Sequence, residues 1–145
     1  MGPDRLKDLE KQLAATASGL DGIDALNMLA KELCDQEPER ARNLAERALE
    51  LAYEQQAMGR PYIRGTAQAL SILGDLAINS DAYGLALTRL FEAYALLQGQ
   101  MFTELLAETS HSIGWAHFRL GNYAEALDYI NQALELYRRA ENLEK

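Results

Sequence analysis

The stretch that decides the fold is Gly121-Asn122-Tyr123-Ala124-Glu125-Ala126-Leu127, which is preceded by Ile113-Gly114 and followed by Ile130 and Ala133-Leu134. A second copy lies forty residues earlier, with equivalent small, aromatic and aliphatic residues at Leu73-Gly74, Asp81-Ala82-Tyr83, Ala86-Leu87, Leu90 and Ala93-Tyr94. A period of this length indicates supersecondary units that stack, because one unit cannot bury its apolar face alone. Such stacks typically form extended binding surfaces.

Apolar spacing and stop signals divide the chain into about seven predicted helices. Pro38 and Pro61 suit the first turns of two of them, and Gly59 and Gly99 suit positions just after helix ends. We predict one all-α domain over residues 1–145, with these parts: a leading helix over 1–20, a degenerate repeat over 21–58, and repeats over 60–98 and 100–143. Valine is absent and no segment predicts a strand.

Charge and composition narrow the classes of function. The formal net charge of −8 disfavours binding to nucleic acid and to anionic membrane surfaces. No apolar run is long enough to cross a bilayer, and no signal peptide follows Met1. Cys34 is the single cysteine, so no internal disulfide is available. We therefore expect a cytoplasmic protein.

The two copies resemble the tetratricopeptide repeat family, whose period is about 34 residues. A weaker third copy reads Leu29-Ala30, Asp35-Gln36-Glu37-Pro38 and then Ala41, and either Ala41 or Ala45 fits its facing position. The resemblance implies a right-handed superhelical stack of antiparallel helix hairpins, an α-solenoid. Gly74 and Gly114, facing Ala86 and Ala126, would let the two helices of a hairpin approach closely.

The resemblance also implies a partner-binding groove lined by the first helix of each hairpin. Its candidate residues are Asn27, Lys31, Gln68, Ser71, Asp75, Ile78, Glu108, His111, Trp115, Phe118 and Arg119, and the weaker first copy would add Asp24 and Cys34. Trp115 and Phe118 would be aromatic anchors for a partner. Alternatively, Trp115 packs against a neighbouring helix.

The charge of this predicted groove favours one kind of guest over another. Related arrays bind acidic peptide tails through a polar and basic clamp, but Asp75 and Trp115 stand where that clamp has asparagine. Glu108 stands where it has a cation. A carboxylate-ended peptide would meet little positive charge. We expect a basic or apolar peptide segment as the partner.

The last predicted helix carries leucines on the side where another repeat would stack. We expect Leu127, Leu134 and Leu143 to make end-on or dimer contacts, because solenoids need a polar cap at each end. The cover would be an attached output domain or a second copy in a homodimer; alternatively, the helix curls inward and its own side chains suffice. The run over 138–145 is still helix-prone, as in a segment of a longer protein.

We predict no catalytic residue, cofactor or metal site. His111 and His117 are six residues apart, which turns a helix by about 240° and points the two rings in different directions. His117 and Cys34 are expected to be packing residues. No phosphate loop, nucleophile elbow or dinucleotide fingerprint is present in the sequence.

We therefore expect a protein-interaction or self-association module. Residues 35–41 and 48–52 are similar to the arrays of bacterial signalling proteins, where they regulate diguanylate or adenylate cyclases, kinases or transcription activators. The alternative is a free-standing chaperone or adaptor that holds an extended client segment in its groove. A catalytic protein is the weakest of the three.

Overall fold

The computed structural model describes residues 19–144 together with Arg5, Lys7, Asp8 and Lys11. Within residues 19–144 it is all-α, with six helices in this order: α1 (Gly19–Leu33), α2 (Pro38–Ala57), α3 (Ile63–Asn79), α4 (Tyr83–Leu97), α5 (Thr103–Arg119) and α6 (Tyr123–Glu144). The predicted leading helix over 1–20 lies almost wholly outside the described residues. In the described part, no helix combines the length and apolar character that crossing a membrane requires.

The helices pack as three consecutive antiparallel hairpins, α1–α2, α3–α4 and α5–α6. The turns within the second and third hairpins use equivalent residues forty positions apart, Asp81 with φ 62° and Gly121 with φ 84°. Glycine adopts this left-handed conformation readily, and aspartate is among the few other residues that tolerate it. The repeat in the sequence therefore has a direct counterpart in the backbone.

The six helices form two layers. In the inner layer, the backbones of α1 and α3, and of α3 and α5, approach within 8 Å. In the outer layer, α4 and α6 meet through long side chains, with the Tyr94 hydroxyl donating to Gln132 Oε1 at 2.8 Å and the Phe91 and Tyr129 rings 6.0 Å apart. Because the inner helices lie closer together, the stack curves with its inner layer on the concave side.

Polar side chains join equivalent helices of successive hairpins at a sequence separation of 38. Asn27 Nδ2 donates to the Gly65 carbonyl at 3.1 Å, and the hydroxyls of Ser71 and Thr109 are 3.3 Å apart. Both contacts are buried between inner helices. They fix the register of one repeat on the next, because a shift would leave these buried polar groups without hydrogen-bond partners and so destabilise the fold.

The apolar interior consists of a large cluster around α1, α2 and α3 and a smaller one where α3, α4 and α5 meet. At the third hairpin, a Cβ added to Gly114 would lie 2.7 Å from Ile130 Cγ1 and 3.1 Å from the Ala126 carbonyl oxygen. The predicted close approach of Gly114 and Ala126 is confirmed. At Gly74 the nearest side chain is Leu90 rather than the predicted Ala86.

Candidate binding groove

The concave face carries two neighbouring recesses, which we call the inner groove. The first, the Asp75 recess, has a volume of about 360 Å³ and is lined by Lys31, Cys34, Asp35, Asp75, Ile78, Asn79, His111, Ser112 and Trp115. The second, the Glu108 recess, has a volume of about 420 Å³ and is lined by Lys31, Arg64, Gln68, Met101, Phe102, Thr103, Glu104, Leu105, Glu108 and Ala140. Lys31 belongs to both, so the two recesses adjoin.

The basic side chains of the inner groove are engaged with carboxylates. Lys31 Nζ lies 3.6 Å from Glu108 Oε1, an ion pair between α1 and α5. Arg64 Nη1 lies 3.8 Å from the Asp24 carboxylate, which also accepts a hydrogen bond from the Tyr62 hydroxyl at 2.7 Å. Both cations are therefore partly neutralised, and the remaining carboxylates give the groove an acidic character.

Asp75 lies half-buried on α3 in the wall of its recess. Burial raises the pKa of its carboxyl group, and nearby Glu108 raises it further, while a hydrogen bond from Ser112 and the charges of His111 and Lys31 act in the opposite direction. The net effect is a raised pKa, because removing a carboxylate from water disfavours its charged form. The Asp75 carboxyl group is therefore only partly hydrated in the recess.

Cys34 lies beside Asp75 at the end of α1 and is half-buried. Burial raises the pKa of its thiol to about 11, and the negative charges of Asp75 and Asp35 add to the shift. A thiol with such a pKa carries little thiolate at neutral pH and is a poor nucleophile. This fits the prediction of a packing residue, although the side chain also contributes to the recess.

Trp115 and Phe118 form an exposed aromatic pair on α5, with ring centroids 5.3 Å apart in a stacked arrangement. Their side chains remain 44% and 46% exposed. Trp115 lines the Asp75 recess, and Phe118 continues the aromatic surface to Tyr123, whose ring is 5.7 Å away. Trp115 is partly covered by this surrounding, and its exposed part is available to a partner.

The structure places most predicted groove residues on this face and moves others away from it. Eight line the recesses: Lys31, Cys34, Gln68, Asp75, Ile78, Glu108, His111 and Trp115. Arg119 points elsewhere, because its guanidinium lies 3.8 Å from Asp81 and over the Tyr83 ring. His117 is also off this face, half-buried and stacked on Tyr129.

Asn27 and Ser71 require a correction. Both were expected to face a partner, but their side chains are buried beneath the groove, where they make the inter-helix hydrogen bonds to Gly65 and Thr109. The physical reason is the close approach of the inner helices, which brings this position of each helix into the interface with the next one. A partner cannot contact either side chain without separating those helices.

Sequence reasoning missed several residues of the groove. Asp35 lies in the connector after α1, and Ser112 directly precedes Ile113-Gly114, so neither falls at a position from which the family pattern predicts a groove contact. The end of α6 also returns to this face. Ala140 lines the Glu108 recess, and the pKa of the Tyr137 hydroxyl is raised by burial and then by Glu108, Glu104 and Asp75.

The predicted end surface lies on α6. Leu127 and Leu134 are 59% and 51% exposed, and Tyr123 is also exposed. Ile130 lies between the two leucines and is half-buried against Gly114. Leu143 belongs to α6, but its side chain lies outside the part of the chain that the structure describes.

One segment of this architecture is similar to a known family of helical repeats. Residues 107–140, from α5 into α6, match the family model described as tetratricopeptide repeat. That segment of the chain is therefore similar to one tetratricopeptide repeat. Repeats of this family build protein-interaction surfaces and are typically non-catalytic. Within the described residues, no group of three or more His, Cys, Asp and Glu side chains is arranged to hold a metal ion.

A similar fold is also found in a solved structure, over nearly the whole chain. The crystal structure of BtubC (BKLC) from P. vanneervenii superposes with a TM-score of 0.69 and 22% sequence identity, over 96% of this chain and 56% of that chain. This likeness concerns the fold alone, and the present chain spans only part of that protein's length. A comparison with curated proteins gives no significant match.

Proposed function

We propose that this tetratricopeptide-type stack is a protein-interaction module that holds an extended peptide segment along the inner groove. The observation that carries the proposal is the Trp115–Phe118 pair, a stacked and half-exposed aromatic surface beside an acidic recess. Water-exposed aromatic rings of this kind often anchor partners, because burying them on binding contributes more free energy than burying smaller side chains.

The charge of the groove favours a basic or apolar segment. Asp35, Asp75, Glu104 and Glu108 line it, whereas Lys31 and Arg64 are its basic side chains and both have carboxylate partners. An acidic peptide would face uncompensated like charge. Electrostatic complementarity of this kind mainly sets specificity and association rate.

The proposed module would act in a larger bacterial signalling protein, where partner binding controls the spacing of attached output domains. The similarity of residues 35–41 and 48–52 to such arrays supports this context. A free-standing chaperone or adaptor is the alternative. Expression of the natural gene and mass measurement of its product separates the two, because only the first requires an output domain on the same chain.

Isothermal titration calorimetry with basic, acidic and neutral apolar peptides tests the groove. We expect the basic and apolar peptides to bind and the acidic ones not to bind. Trp115→Ala should weaken binding by about thirtyfold, the effect of losing an interface hot spot. Tyr53→Ala is the matched control, since Tyr53 is equally exposed at 44% but lies on α2 in the outer layer. Equal affinity of the Trp115→Ala and wild-type proteins would contradict the proposal.

Self-association is a second candidate function, favoured by the exposed leucines of α6. Five apolar and aromatic residues of α6 follow each other at spacings of four and three, which places them along one side of the helix. They are Tyr123, Leu127, Ile130, Leu134 and Tyr137. We propose a second copy as the occupant, with the two α6 helices antiparallel so that the exposed Leu127 and Leu134 of each copy cover those of the other.

A further inference from the structure

The Asp75 recess combines negative charge with restricted hydration. Asp75 is half-buried, and its hydrogen-bond partner is the neutral hydroxyl of Ser112. Asp35 lines the same recess from the connector after α1. Among residues 19–144, neither carboxylate lies within ion-pair distance of a basic side chain; Lys31 also lines the recess, but its ammonium group pairs with Glu108. Binding of a cation stabilises a carboxylate that has lost part of its hydration in this way.

The walls of the recess suit a cation that also has an apolar or planar part. Trp115 supplies an exposed indole, and Ile78 supplies an aliphatic surface. An indole attracts cations through its ring face, and a planar guanidinium both stacks on rings and pairs with carboxylates. The volume of about 360 Å³ leaves room for one long side chain but not for a folded element.

We propose that the Asp75 recess binds an arginine side chain of the partner segment, with its guanidinium against the Asp75 and Asp35 carboxylates and beside the Trp115 indole. This inference rests on the proposed function, because the segment must lie in the inner groove for its side chain to reach the recess. It goes further by naming the residue that the groove selects.

Proton binding should oppose arginine binding at this recess. The charged and titratable groups that face Asp75 are Lys31 from α1, Cys34 and Asp35 from the connector after α1, Glu108 and His111 from α5, and Tyr137 from α6. Burial raises the pKa of Asp75, so its carboxylate is protonated at a higher pH than an ordinary surface carboxylate. Affinity for arginine should therefore fall as the pH falls through that pKa.

The test compares two peptides that differ in one charge, acetyl-Ser-Ala-Leu-Arg-Leu-Ala-Ser-amide and the same peptide with neutral, isosteric citrulline in place of arginine. Binding is followed by fluorescence of Trp115, the single tryptophan, which lines the recess. We expect the arginine peptide to bind at least about tenfold more tightly at neutral pH, as a charge-assisted hydrogen bond provides.

Two variants assign this preference to the recess. Asp75→Asn should bring the arginine-to-citrulline ratio close to one, whereas Asp128→Asn removes the same charge from an exposed site on α6 and should leave the ratio unchanged. Equal affinities for the two peptides in the wild-type protein would overturn the arginine proposal and leave the groove proposal intact. Failure of every peptide, including the basic and apolar peptides of the calorimetric series, would instead overturn the proposed function itself.

Discussion

At the scale of single residues, Asp75 serves binding at the expense of folding. Its carboxylate is available to a partner because it lies in the recess, but the same position removes part of its hydration. The folded-state pKa lies above the ordinary value of 3.8. The neutral carboxyl therefore stabilises the fold below pH 3.8, and this contribution is lost as the pH rises through the folded-state pKa.

Asp75→Asn should accordingly raise the free energy of unfolding at neutral pH, because asparagine keeps the polar contact with Ser112 without a charge to desolvate. The gain over the wild-type protein should shrink as the pH is lowered and vanish below pH 3.8, where Asp75 is protonated in both states. Urea denaturation of the two proteins over a pH series measures this difference. If the variant were less stable than the wild-type protein at neutral pH, the attraction of the Asp75 carboxylate to Lys31 and His111 would exceed the cost of its burial.

At the scale of helices, α5 and α6 can pack as they do because residue 114 has no side chain. A Cβ there would lie 3.1 Å from the Ala126 carbonyl oxygen and 3.3 Å from the Ile130 backbone nitrogen, so the clash would involve backbone atoms of the neighbouring helix. Backbone atoms inside a helix cannot move separately from it. The two helices would have to part along the hairpin.

Gly114→Ala should therefore destabilise the protein by about 1–3 kcal/mol, the usual cost of overpacking a core. Gly84→Ala is the matched control, because Gly84 lies in helix α4 with no atom within 4 Å of an added Cβ. Alanine favours the helix at that site, and the control should gain up to about 1 kcal/mol. Chemical denaturation of both variants measures these changes, and a neutral Gly114→Ala would mean that α5 and α6 separate without loss.

The helices and hairpins could be predicted from the sequence because their signals are local. Gly114 and Ala126 belong to one hairpin, and proline, glycine and apolar spacing mark its ends. The groove was harder to predict because its residues meet across hairpins. Asn27 occupies the same repeat position as His111, yet it is buried by α3 whereas His111 is exposed, and only the packing of neighbouring hairpins determines this difference.

At the scale of the whole molecule, the last described helix, α6, packs on the stack through one of its faces. The inner face of α6 packs on α5 through Ala126 and Ala133, which are almost completely buried. Its other side carries Leu127 and Leu134, which are both exposed. The end of α6 lies against the Glu108 recess at Ala140 and does not cover either leucine. Exposed leucines in register on one helix are an apolar surface that water solvates poorly.

The proposed antiparallel contact between two copies of α6 predicts a concentration-dependent dimer. Sedimentation equilibrium should show it for the wild-type protein, and Leu127→Glu combined with Leu134→Glu should shift the protein to monomer, because four buried carboxylates would then face each other across the twofold axis.

Leu85→Glu is the control, since Leu85 is 54% exposed on α4, away from the α6 surface, and should leave the dimer unchanged. Circular dichroism checks that all variants stay helical. A monomeric wild-type protein at the highest soluble concentration, or a dimer that survives the double substitution, would rule out this surface as the contact.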